Sequence, residues 1–442
     1  MVPHLSSAVL AWHSANMQRR IFLTSSLIGT ASSWAGANDR VRAAVAGVGG
    51  RGLDHVDNLL RAANTEVAVV CDPDATRMAK AAARVLEKTG KRPLEVSDLR
   101  KVLEDKSIDA VSIASCNHWH ALGTVLACQA GKHVLVEKPL CHNFEEGRKM
   151  VAAARRYNRI VQGGTQRRSS GGYRRAVELL HEGVIGDIYL ARWTLINPRA
   201  SIGHKPISPP PAHLNWDLWL GPAPEQPHHA NLAHYTWHWF WDFGGGEMCN
   251  NGVHSYDISR WAMRKGLPVR TSSTGGRFVW KDQGQTPNTQ TAMWEFEDGA
   301  QIVGELRNHH TPNDERAWYF YGTKGAMHIV DGGAGGPDNV EGVFKVYLNG
   351  GKTPEPGMGR LDDIDHHSNF IEAIRRGNRE KLSDDVEELH LSTAPCLFAN
   401  IAVRLGRELR FDPKKQRFTG DAEADRMLSR ESRKPYALPD KV

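Results

Sequence analysis

Residues 41–72 read VRAAVAGVGGRGLDHVDNLLRAANTEVAVVCD, and this stretch decides the fold. Residues 41–46 are small and apolar, which predicts a strand that is buried on both faces. The turn that follows has glycines at G-x-G-x-x-G spacing, at Gly47, Gly49 and Gly52. The first glycine allows a tight turn, the second lets a pyrophosphate approach the backbone, and the third lets the next helix pack against the strand. The stretch therefore predicts a dinucleotide site.

The second strand of this unit ends in an acidic residue. Residues 66–71, EVAVVC, predict the second strand, and Asp72 follows about twenty residues after the glycines, where the fingerprint places a carboxylate. A carboxylate there accepts hydrogen bonds from both ribose hydroxyls and repels a 2′-phosphate, so the sequence favours NAD over NADP. An ordinary glycine loop is the plainer interpretation of the glycines alone. The full order of strand, glycines, helix, strand and carboxylate argues against it.

Length and composition predict a globular protein of two domains. The chain has 442 residues, of which 40% are hydrophobic and 24% charged, and its formal net charge is +6. Two domains of this size could each bury a core. No basic block alternates with aromatic residues, so nucleic-acid binding is not indicated. No run of about 18 apolar residues predicts a membrane span.

The first 37 residues resemble an export signal. Residues 18–23, QRRIFL, resemble the twin-arginine motif, and residues 35–37, AGA, supply a cleavage site before the first strand. We therefore predict a leader over residues 1–37 and a periplasmic location; a disordered basic leader is the plainer alternative. A dinucleotide enzyme exported to a compartment without free NAD must carry its cofactor with it.

The order of elements predicts an α/β fold class. Strands and helices alternate to about residue 166, which predicts a doubly wound Rossmann domain over residues 38–166. Residues 167–442 predict an α+β domain with an open, mostly antiparallel sheet and helices on one face. Its predicted strands are residues 187–196, 290–296, 300–306, 317–321 and 326–330. The segment between residues 197 and 243 is rich in Pro, Trp and His, which is typical of a long functional loop.

The cysteines predict neither a disulfide framework nor a zinc site. They form no C-x-x-C pair, and several lie in apolar context, where cysteine is usually a small buried hydrophobe. The six are Cys71, Cys116, Cys128, Cys141, Cys249 and Cys396.

Two polar motifs follow predicted strands at the edge where ligands bind in an open α/β sheet. Residues 115–120, SCNHWH, come after one strand, and Glu137-Lys138-Pro139 comes after the next. The proline predicts a rigid turn, which can be cis, that would fix the lysine. A lysine beside a nicotinamide in a partly dry cleft has a lowered pKa and can act as an acid or base. A surface lysine at a strand end is the plainer interpretation.

A third motif combines glycines, tryptophans and a histidine. A glycine-rich turn opens a predicted helix on which His254, Asp257 and Trp261 share one face. A histidine beside a carboxylate in a cleft can transfer protons, which suggests a catalytic role for His254. A hydrogen-bonded histidine in the core is the plainer interpretation. Tryptophan faces suit sugar rings, although some of these tryptophans belong to the core. They are Trp216, Trp219, Trp237, Trp239 and Trp241.

Together these motifs resemble the glucose–fructose oxidoreductase / inositol dehydrogenase / rhizopine catabolism family, usually written Gfo/Idh/MocA. The resemblance runs from about residue 40 onward. It implies an N-terminal Rossmann domain, a C-terminal α/β domain with an open sheet, and often a dimer or tetramer formed through that sheet. It also implies that Lys138 is the essential lysine beside the nicotinamide and that His254 is the catalytic base or an orienting histidine.

The exported branch of that family is similar in two further stretches. They are residues 216–224, WDLWLGPAP, and residues 433–436, RKPY. One position departs from the family pattern: many members have an aspartate four residues before the histidine, and this chain has Asn250. An amide cannot accept a proton, so the acid–base role would fall to Lys138 and His254. A second departure, Cys116 in place of a proline, is interpreted as a packing change.

The candidate site residues fall into three groups. The candidate catalytic residues are Lys138, His254 and Asp257. The candidate cofactor-binding residues are Gly47, Gly49, Gly50, Arg51, Gly52, Asp72, Ser115, Asn117, His120, Glu137 and Lys138. The candidate substrate-binding residues are Gln166, Arg167, Trp237, Trp241, Asn250 and His254. No metal ligand is predicted.

The resemblance and the motifs lead to one main hypothesis and two alternatives. The main hypothesis is an NAD-dependent oxidoreductase that oxidises a hydroxyl of a sugar or sugar derivative to a keto sugar and retains its cofactor. The first alternative is an NAD-dependent glycoside hydrolase or lyase that acts by transient oxidation and elimination. The second is a non-catalytic, NAD-loaded sugar-binding protein. The expected partners are a small carbohydrate and further copies of this chain.

Overall fold

A computed structural model describes residues 40–309, 316–331, 344–353, 355, 361–439 and 442. The predicted leader, residues 1–37, lies outside these ranges, so its role stays a prediction. Within the described ranges, no helix is both long and apolar enough to cross a bilayer. The six cysteines are unpaired, and all except Cys116 are buried.

The first sheet has six parallel strands in the order β3-β2-β1-β4-β5-β6. The strands are β1 (Val41–Ala46), β2 (Thr65–Cys71), β3 (Leu94–Val96), β4 (Ala110–Ile113), β5 (His133–Val136) and β6 (Val161–Gly163). Five of the six residues of β1 are buried because helices cover both faces of the sheet. This order confirms the doubly wound domain.

Five helices connect these strands. They are α1 (Gly50–Arg61), α2 (Ala75–Thr89), α3 (Leu99–Glu104), α4 (Asn117–Gln129) and α5 (Phe144–Arg156). The side chain of Asp74 accepts hydrogen bonds from the N–H groups of Thr76 and Arg77 at the start of α2, and Gly90 ends that helix with φ of 71°. Helix α4 begins at Asn117, directly after Cys116. The polar motif at residues 115–120 therefore lies partly in the first helical turn.

The second sheet has nine strands in the order β13-β12-β11-β7-β10-β9-β8-β14-β15. They are β7 (Ile188–Ile196), β8 (Arg270–Gly276), β9 (Thr289–Glu295), β10 (Gln301–Arg307), β11 (Ala317–Gly322), β12 (Gly325–Val330), β13 (Phe344–Leu348), β14 (Leu409–Asp412) and β15 (Arg417–Phe418). Strands β7 and β10 are parallel, and the other neighbours are antiparallel. This confirms the open, mostly antiparallel sheet, although β8, β13, β14 and β15 are not predicted.

Helices pack on one face of this sheet. The remaining helices are α6 (Gly171–His181), α7 (Trp216–Leu220), α8 (Val253–Met263), α9 (His366–Arg376), α10 (Val386–Leu405) and α11 (Ala422–Arg426). Short 3-10 turns span Gln166–Ser169, Thr236–Trp239 and Arg379–Lys381, and a π-helical turn spans Met248–Gly252. Between α8 and the sheet, the ring of Trp294 lies 4.8 Å from that of Tyr256 and 6.1 Å from that of Trp193.

Residues from late in the chain complete the first core. Phe370 and Ile371 of α9 are buried in the same cluster as the apolar residues of β1. His366 Nε2 lies 2.8 Å from the main-chain oxygen of Gly163, at the end of β6. The boundary at residue 166 stays a prediction, but the first domain buries side chains from beyond it.

Candidate active site

A cleft of about 500 Å³ opens at the carboxyl ends of β1, β2, β4 and β5, and both domains line it. Eleven of the candidate residues lie on its walls: Gly47, Gly49, Gly50, Arg51, Asp72, Ser115, Asn117, Glu137, Lys138, Trp237 and Asn250. This is the edge of an open α/β sheet where ligands bind. The volume lies within the range of small-molecule and cofactor sites.

The glycine turn is shaped by two close approaches. Gly47 has φ of +80°, and a Cβ atom there would lie 2.5 Å from the main-chain nitrogen of Ser115. A Cβ atom at Gly52 would lie 1.8 Å from the oxygen of Gly47, so Gly52 serves the packing of α1 on β1. Around the Cα atom of Gly50, by contrast, there is open space. The turn thus leaves the N-terminus of α1 accessible, which fits a pyrophosphate group.

Asp72 is fixed at the end of β2 with its carboxylate against the cleft. One carboxylate oxygen accepts a hydrogen bond from the N–H of Val48 at 2.8 Å, and the other accepts one from the N–H of Asp74 at 2.9 Å. Burial raises the pKa of Asp72 to about 6, against the opposing effect of these two hydrogen bonds and of Arg77. Each oxygen can accept one further hydrogen bond, so the carboxylate fits a ribose diol.

Lys138 lies at the floor of the cleft, on a cis peptide bond to Pro139. Its Nζ donates hydrogen bonds to the main-chain oxygen of Asn250 at 2.8 Å and to Oδ1 of Asn250 at 3.3 Å. Asn250 belongs to the π-helical turn that precedes α8, and such turns are frequent at functional sites. Burial lowers the pKa of Lys138, Glu137 opposes this and Arg51 adds to it. Lys138 is therefore held in one place and predisposed to release a proton.

The carboxylate of Glu137 holds this turn in place through its contacts with Arg51 and His55. Its carboxylate accepts a hydrogen bond from Arg51 Nε at 2.6 Å and lies 3.0 Å from His55 Nε2. Burial alone would raise the pKa of Glu137, but the charge of Arg51 and the contact with His55 hold it well below its usual value. Glu137 is therefore ionised, and its carboxylate is already paired with two protein side chains, those of Arg51 and His55.

His254 lies near Lys138 and has no hydrogen-bond partner among the described residues. It is the second residue of α8, it is 6% exposed, and its Nδ1 atom is buried. Burial and the positive charge of Lys138 hold the pKa of His254 well below its usual value. The ring is therefore neutral at neutral pH. His254 does not line the cleft, so its role in catalysis or substrate binding stays a prediction.

Glu247 is a buried carboxylate whose charge acts on Lys138, and it does not appear among the predicted residues. Glu247 is fully buried; it accepts hydrogen bonds from the amides of Asn197, at 2.7 Å, and Asn251, and it lies 3.6 Å from Arg199 Nη2. Burial raises the pKa of Glu247, but Arg199 and His238 shift it below its usual value. A glutamate within a glycine-rich turn, three residues before Asn250, is the signal that could have identified it.

The structure corrects the prediction that Asp257 is a catalytic residue. Its carboxylate accepts hydrogen bonds from Arg168, at 2.9 Å from Nε and 2.8 Å from Nη2, and from Ser392 Oγ at 2.6 Å. The side chain is buried and does not line the cleft. Asp257 thus belongs to an ion pair in the protein interior, although it shares a helix with His254.

His120 is a second correction, within the cofactor-binding group. Its Nδ1 lies 2.8 Å from the main-chain oxygen of Pro139, and its Nε2 lies 3.1 Å from that of Ser115. Both ring nitrogens face main-chain oxygens, and the fully buried ring does not line the cleft. His120 therefore joins the two loops that carry the polar motifs.

Three predicted substrate residues also lie away from the cleft wall. Arg167 Nη2 donates to Asp331 at 2.7 Å, and its guanidinium lies 5.1 Å from the Trp318 ring. Gln166 precedes it in the same 3-10 turn. Trp241 lines a different, small cavity, and the guanidinium of Arg404 lies 4.8 Å from its ring. None of the three lines the cleft, and their role in substrate binding stays a prediction.

The long loop between residues 197 and 243 crosses from the second domain to the first. The N–H of Asn215 donates to the oxygen of Pro73, and the N–H of Ala75 donates to the oxygen of His213, both at 2.9 Å. The loop adds Arg199, Leu218, Trp219, His234, Tyr235 and Trp237 to the walls of the cleft. Trp239 belongs to an apolar cluster behind the wall. The loop thus closes one side of the cleft.

The sheet order, the glycine turn and the carboxylate after β2 define a dinucleotide-binding protein of the doubly wound class. A family model described as "Oxidoreductase family, NAD-binding Rossmann fold" matches residues 41–165. A second, described as "Oxidoreductase family, C-terminal alpha/beta domain", matches residues 200–438. The chain belongs to the Gfo/Idh/MocA oxidoreductase family, and the cofactor of its first domain is NAD.

Several curated relatives are sugar or polyol oxidoreductases by name. The chain is 30% identical over 272 residues to inositol 2-dehydrogenase 3 of Saccharopolyspora erythraea, covering 60% of this chain and 66% of the relative. It is 33% identical over 112 residues to levoglucosan dehydrogenase of Pseudarthrobacter phenanthrenivorans, covering 25% of this chain and 29% of the relative. Both alignments span less than two thirds of the relative's length.

Solved structures share the fold over most of the chain. The WlbA dehydrogenase from Bordetella pertussis, in complex with NADH and UDP-GlcNAcA, superposes with a TM-score of 0.64 at 19% identity and covers 84% of this chain and 99% of its own. The aldose-aldose oxidoreductase from Caulobacter crescentus, complexed with glycerol, has a TM-score of 0.65 at 16% identity and covers 84% and 100%. At this identity the similarity is one of fold.

Proposed function

We propose that this protein uses NAD to oxidise a hydroxyl of a sugar or sugar derivative to a ketone in the cleft beside Lys138. The observation that carries the proposal is the position of the Lys138 ammonium, fixed by Asn250 on the floor of a cleft whose glycine turn and Asp72 fit NAD. The names of the relatives support a polyhydroxylated substrate. Trp237, on the wall above, offers a ring face on which a sugar can stack.

In this proposal Lys138 removes the hydroxyl proton and His254 orients the substrate. NAD+ bound against the glycine turn and Asp72 would supply the acceptor for a hydride from the carbinol carbon. The neutral amine of Lys138 accepts the hydroxyl proton while the carbon–oxygen double bond forms, and the lysine becomes an ammonium group. Lys138 suits this role because burial lowers its pKa toward neutrality, which favours proton transfer. The pKa of His254 is shifted further from neutrality, so His254 contributes a hydrogen bond.

We also propose that the protein acts in the periplasm and retains its cofactor. The support for export is the twin-arginine-like motif at residues 18–23. The support for retention is the loop of residues 197–243, which covers one side of the cleft. Denaturing the purified protein and identifying the released nucleotide by mass tests identity and retention together. Protein that releases no stoichiometric NAD or NADH contradicts retention.

The catalytic proposal is tested with a panel of sugars, polyols and aryl glycosides, the glycosides deuterated at ring carbons. Oxidation predicts a keto product with stoichiometric NADH, or a reduced second sugar if the nucleotide is retained. Aglycone release without net NADH would instead favour the hydrolytic mechanism. The Lys138→Met variant is expected to bind NADH and lose turnover. Unchanged turnover in this variant would contradict the role of Lys138.

The assembly of the protein is a separate proposal. We propose a homo-oligomer that forms through the open face of the second sheet, as the family resemblance implies. Tyr189 on β7 is 55% exposed, which leaves an aromatic side chain available on that sheet. Light scattering of the purified protein tests this, and a monomer at micromolar concentration would contradict it.

A further inference from the structure

Residues 216–224 and 433–436 lie against each other. Arg433 Nη1 donates to Asp217 Oδ1 at 2.5 Å, Nη2 donates to the main-chain oxygen of Asp217 at 2.8 Å, and Nε donates to that of Gly221 at 3.0 Å. The main-chain N–H of Arg433 donates to the oxygen of Pro222 at 3.1 Å. One arginine thus holds both ends of helix α7.

Tyr436 connects the same aspartate to the first domain. Its hydroxyl donates to Asp217 Oδ2 at 2.6 Å. Its buried ring lies 4.6 Å beneath the guanidinium of Arg100, on α3, and 5.6 Å from the ring of Trp119, on α4. Tyr436 therefore touches two helices of the first domain and one helix of the second.

Helix α7 forms part of the cleft wall. Trp119 Nε1 donates to the oxygen of Leu218 at 3.0 Å, and both residues line the cleft together with Leu99 and Trp219. Gly221 ends α7 with φ of +47°, and a Cβ atom there would lie 2.3 Å from the Trp119 ring. On the side of the cleft near β3 and Asp72, the wall is therefore formed where the two domains pack closely together.

We propose that Arg433, Tyr436 and Asp217 form a clasp that holds α7 against α3 and α4 and thereby limits the rate at which NAD enters and leaves the cleft. The clasp residues do not line the cleft, so they act as positioning residues. The inference rests on the NAD site of the first domain. It is independent of the identity of the sugar.

The contacts of the clasp set the size of the expected effect. The Asp217 side chain is 62% exposed, so its ion pair with Arg433 is screened by solvent. Each hydrogen bond of a partly exposed group changes the equilibrium between the closed and the open wall roughly three- to ten-fold. We therefore expect Arg433→Gln to accelerate opening of the wall roughly ten-fold, and Tyr436→Phe, which keeps the ring contacts, roughly three-fold.

The test measures NADH association and dissociation by stopped-flow fluorescence, with no sugar present, on protein from which any copurified nucleotide has been removed. Because residues of α7 line the cleft, the proposal requires the wall to open before both entry and exit of the nucleotide. In Arg433→Gln and Tyr436→Phe we expect both rate constants to rise by similar factors, while the dissociation constant changes little. The control is Arg407→Gln, which removes an arginine paired with Asp421 and Glu423. We expect the rates of this control to match those of the wild type.

Two results would overturn the clasp. One is unchanged rate constants in both variants. The other is a faster dissociation with an unchanged association rate and a proportionally weaker affinity, since these residues would then contribute affinity without gating the cleft. If Arg433→Gln does not fold, Tyr436→Phe carries the test alone. The NADH measurement needs no sugar, so it can be made even if the protein turns over none. Failure of the proposed function is therefore distinguishable from failure of the clasp.

Discussion

A single ammonium group, that of Lys138, carries the proposed chemistry. Its pKa is lowered from 10.5 by burial, so the neutral amine is present at a lower pH than in water. We expect kcat/KM for oxidation to rise with pH and to level off above the pKa of Lys138, at a pH below 10.5. Lys138→Arg, which keeps the charge but does not release a proton, is expected to lose roughly 10²- to 10⁴-fold in kcat. A rate that does not change with pH would contradict this role.

Asp72 governs the choice and affinity of the nucleotide. Its pKa is raised to about 6, so the carboxylate is charged above that pH and becomes protonated below it. A protonated carboxyl accepts hydrogen bonds less well, and we therefore expect NADH affinity to fall as the pH drops through 6. Asp72→Asn should weaken NADH binding roughly ten-fold and remove this pH dependence. Fluorescence titration of both proteins across this range measures it, and an equally steep dependence in the variant would refute the assignment.

At the scale of the element, helix α8 separates two residues that the sequence placed together. His254 and Asp257 are three residues apart, which on a helix means a rotation of about 60° and a rise of about 4.5 Å. That step takes Asp257 from the neighbourhood of Lys138 to Arg168. A shared helix face is broad enough for its members to contact different neighbours, so spacing alone assigned Asp257 wrongly.

The ion pair of Asp257 is expected to contribute stability and not turnover. Asp257→Asn leaves the buried guanidinium of Arg168 with Glu388 and Asp384 as partners, and we expect a loss of about 3 kcal/mol in the free energy of unfolding. The folded variant should keep kcat near that of the wild type. The matched control, Asp298→Asn, removes an exposed partner of Lys265 and should cost about 0.5 kcal/mol or less. Urea unfolding and steady-state kinetics test this; a large loss of kcat in folded Asp257→Asn would restore its catalytic role.

The elements that were predicted correctly are those with strong local signals. Five of the six strands of the first sheet are short apolar runs separated by helices, so the local pattern identifies them. Strand β3 is exposed at two of its three positions and is not predicted. By contrast, β8 carries mostly small and polar residues, and β15 is two residues long. Such strands are stabilised by their neighbours in the sheet, and no local pattern reveals them.

At the scale of the molecule, the two domains share one core. Phe370 is buried against the apolar residues of β1, although it lies more than 200 residues beyond the predicted boundary at residue 166. We expect Phe370→Ala to lower the free energy of unfolding by about 3–5 kcal/mol. NAD binding and the folded structure of the second domain should be lost in the same unfolding transition. Phe278→Ala, at an exposed phenylalanine, should cost about 0.5 kcal/mol or less.

Chemical denaturation followed by tryptophan fluorescence and by NADH release measures this coupling. Coincident transitions that shift together in Phe370→Ala would support a shared core. Two separate transitions, with only one affected, would contradict it.

Local patterns by themselves determined the doubly wound domain, the glycine turn, the carboxylate after β2 and the place of Lys138 after β5. Each depends on neighbours within a few tens of residues, and the geometry of one βαβ unit relates those neighbours directly. Tertiary structure alone decided that Glu247 pairs with Asn197 and Arg199, that Asp257 pairs with Arg168, and that residues 433–436 contact α7. These contacts join segments up to about 220 residues apart, and burial with complementary charge selects them only once both sheets have formed.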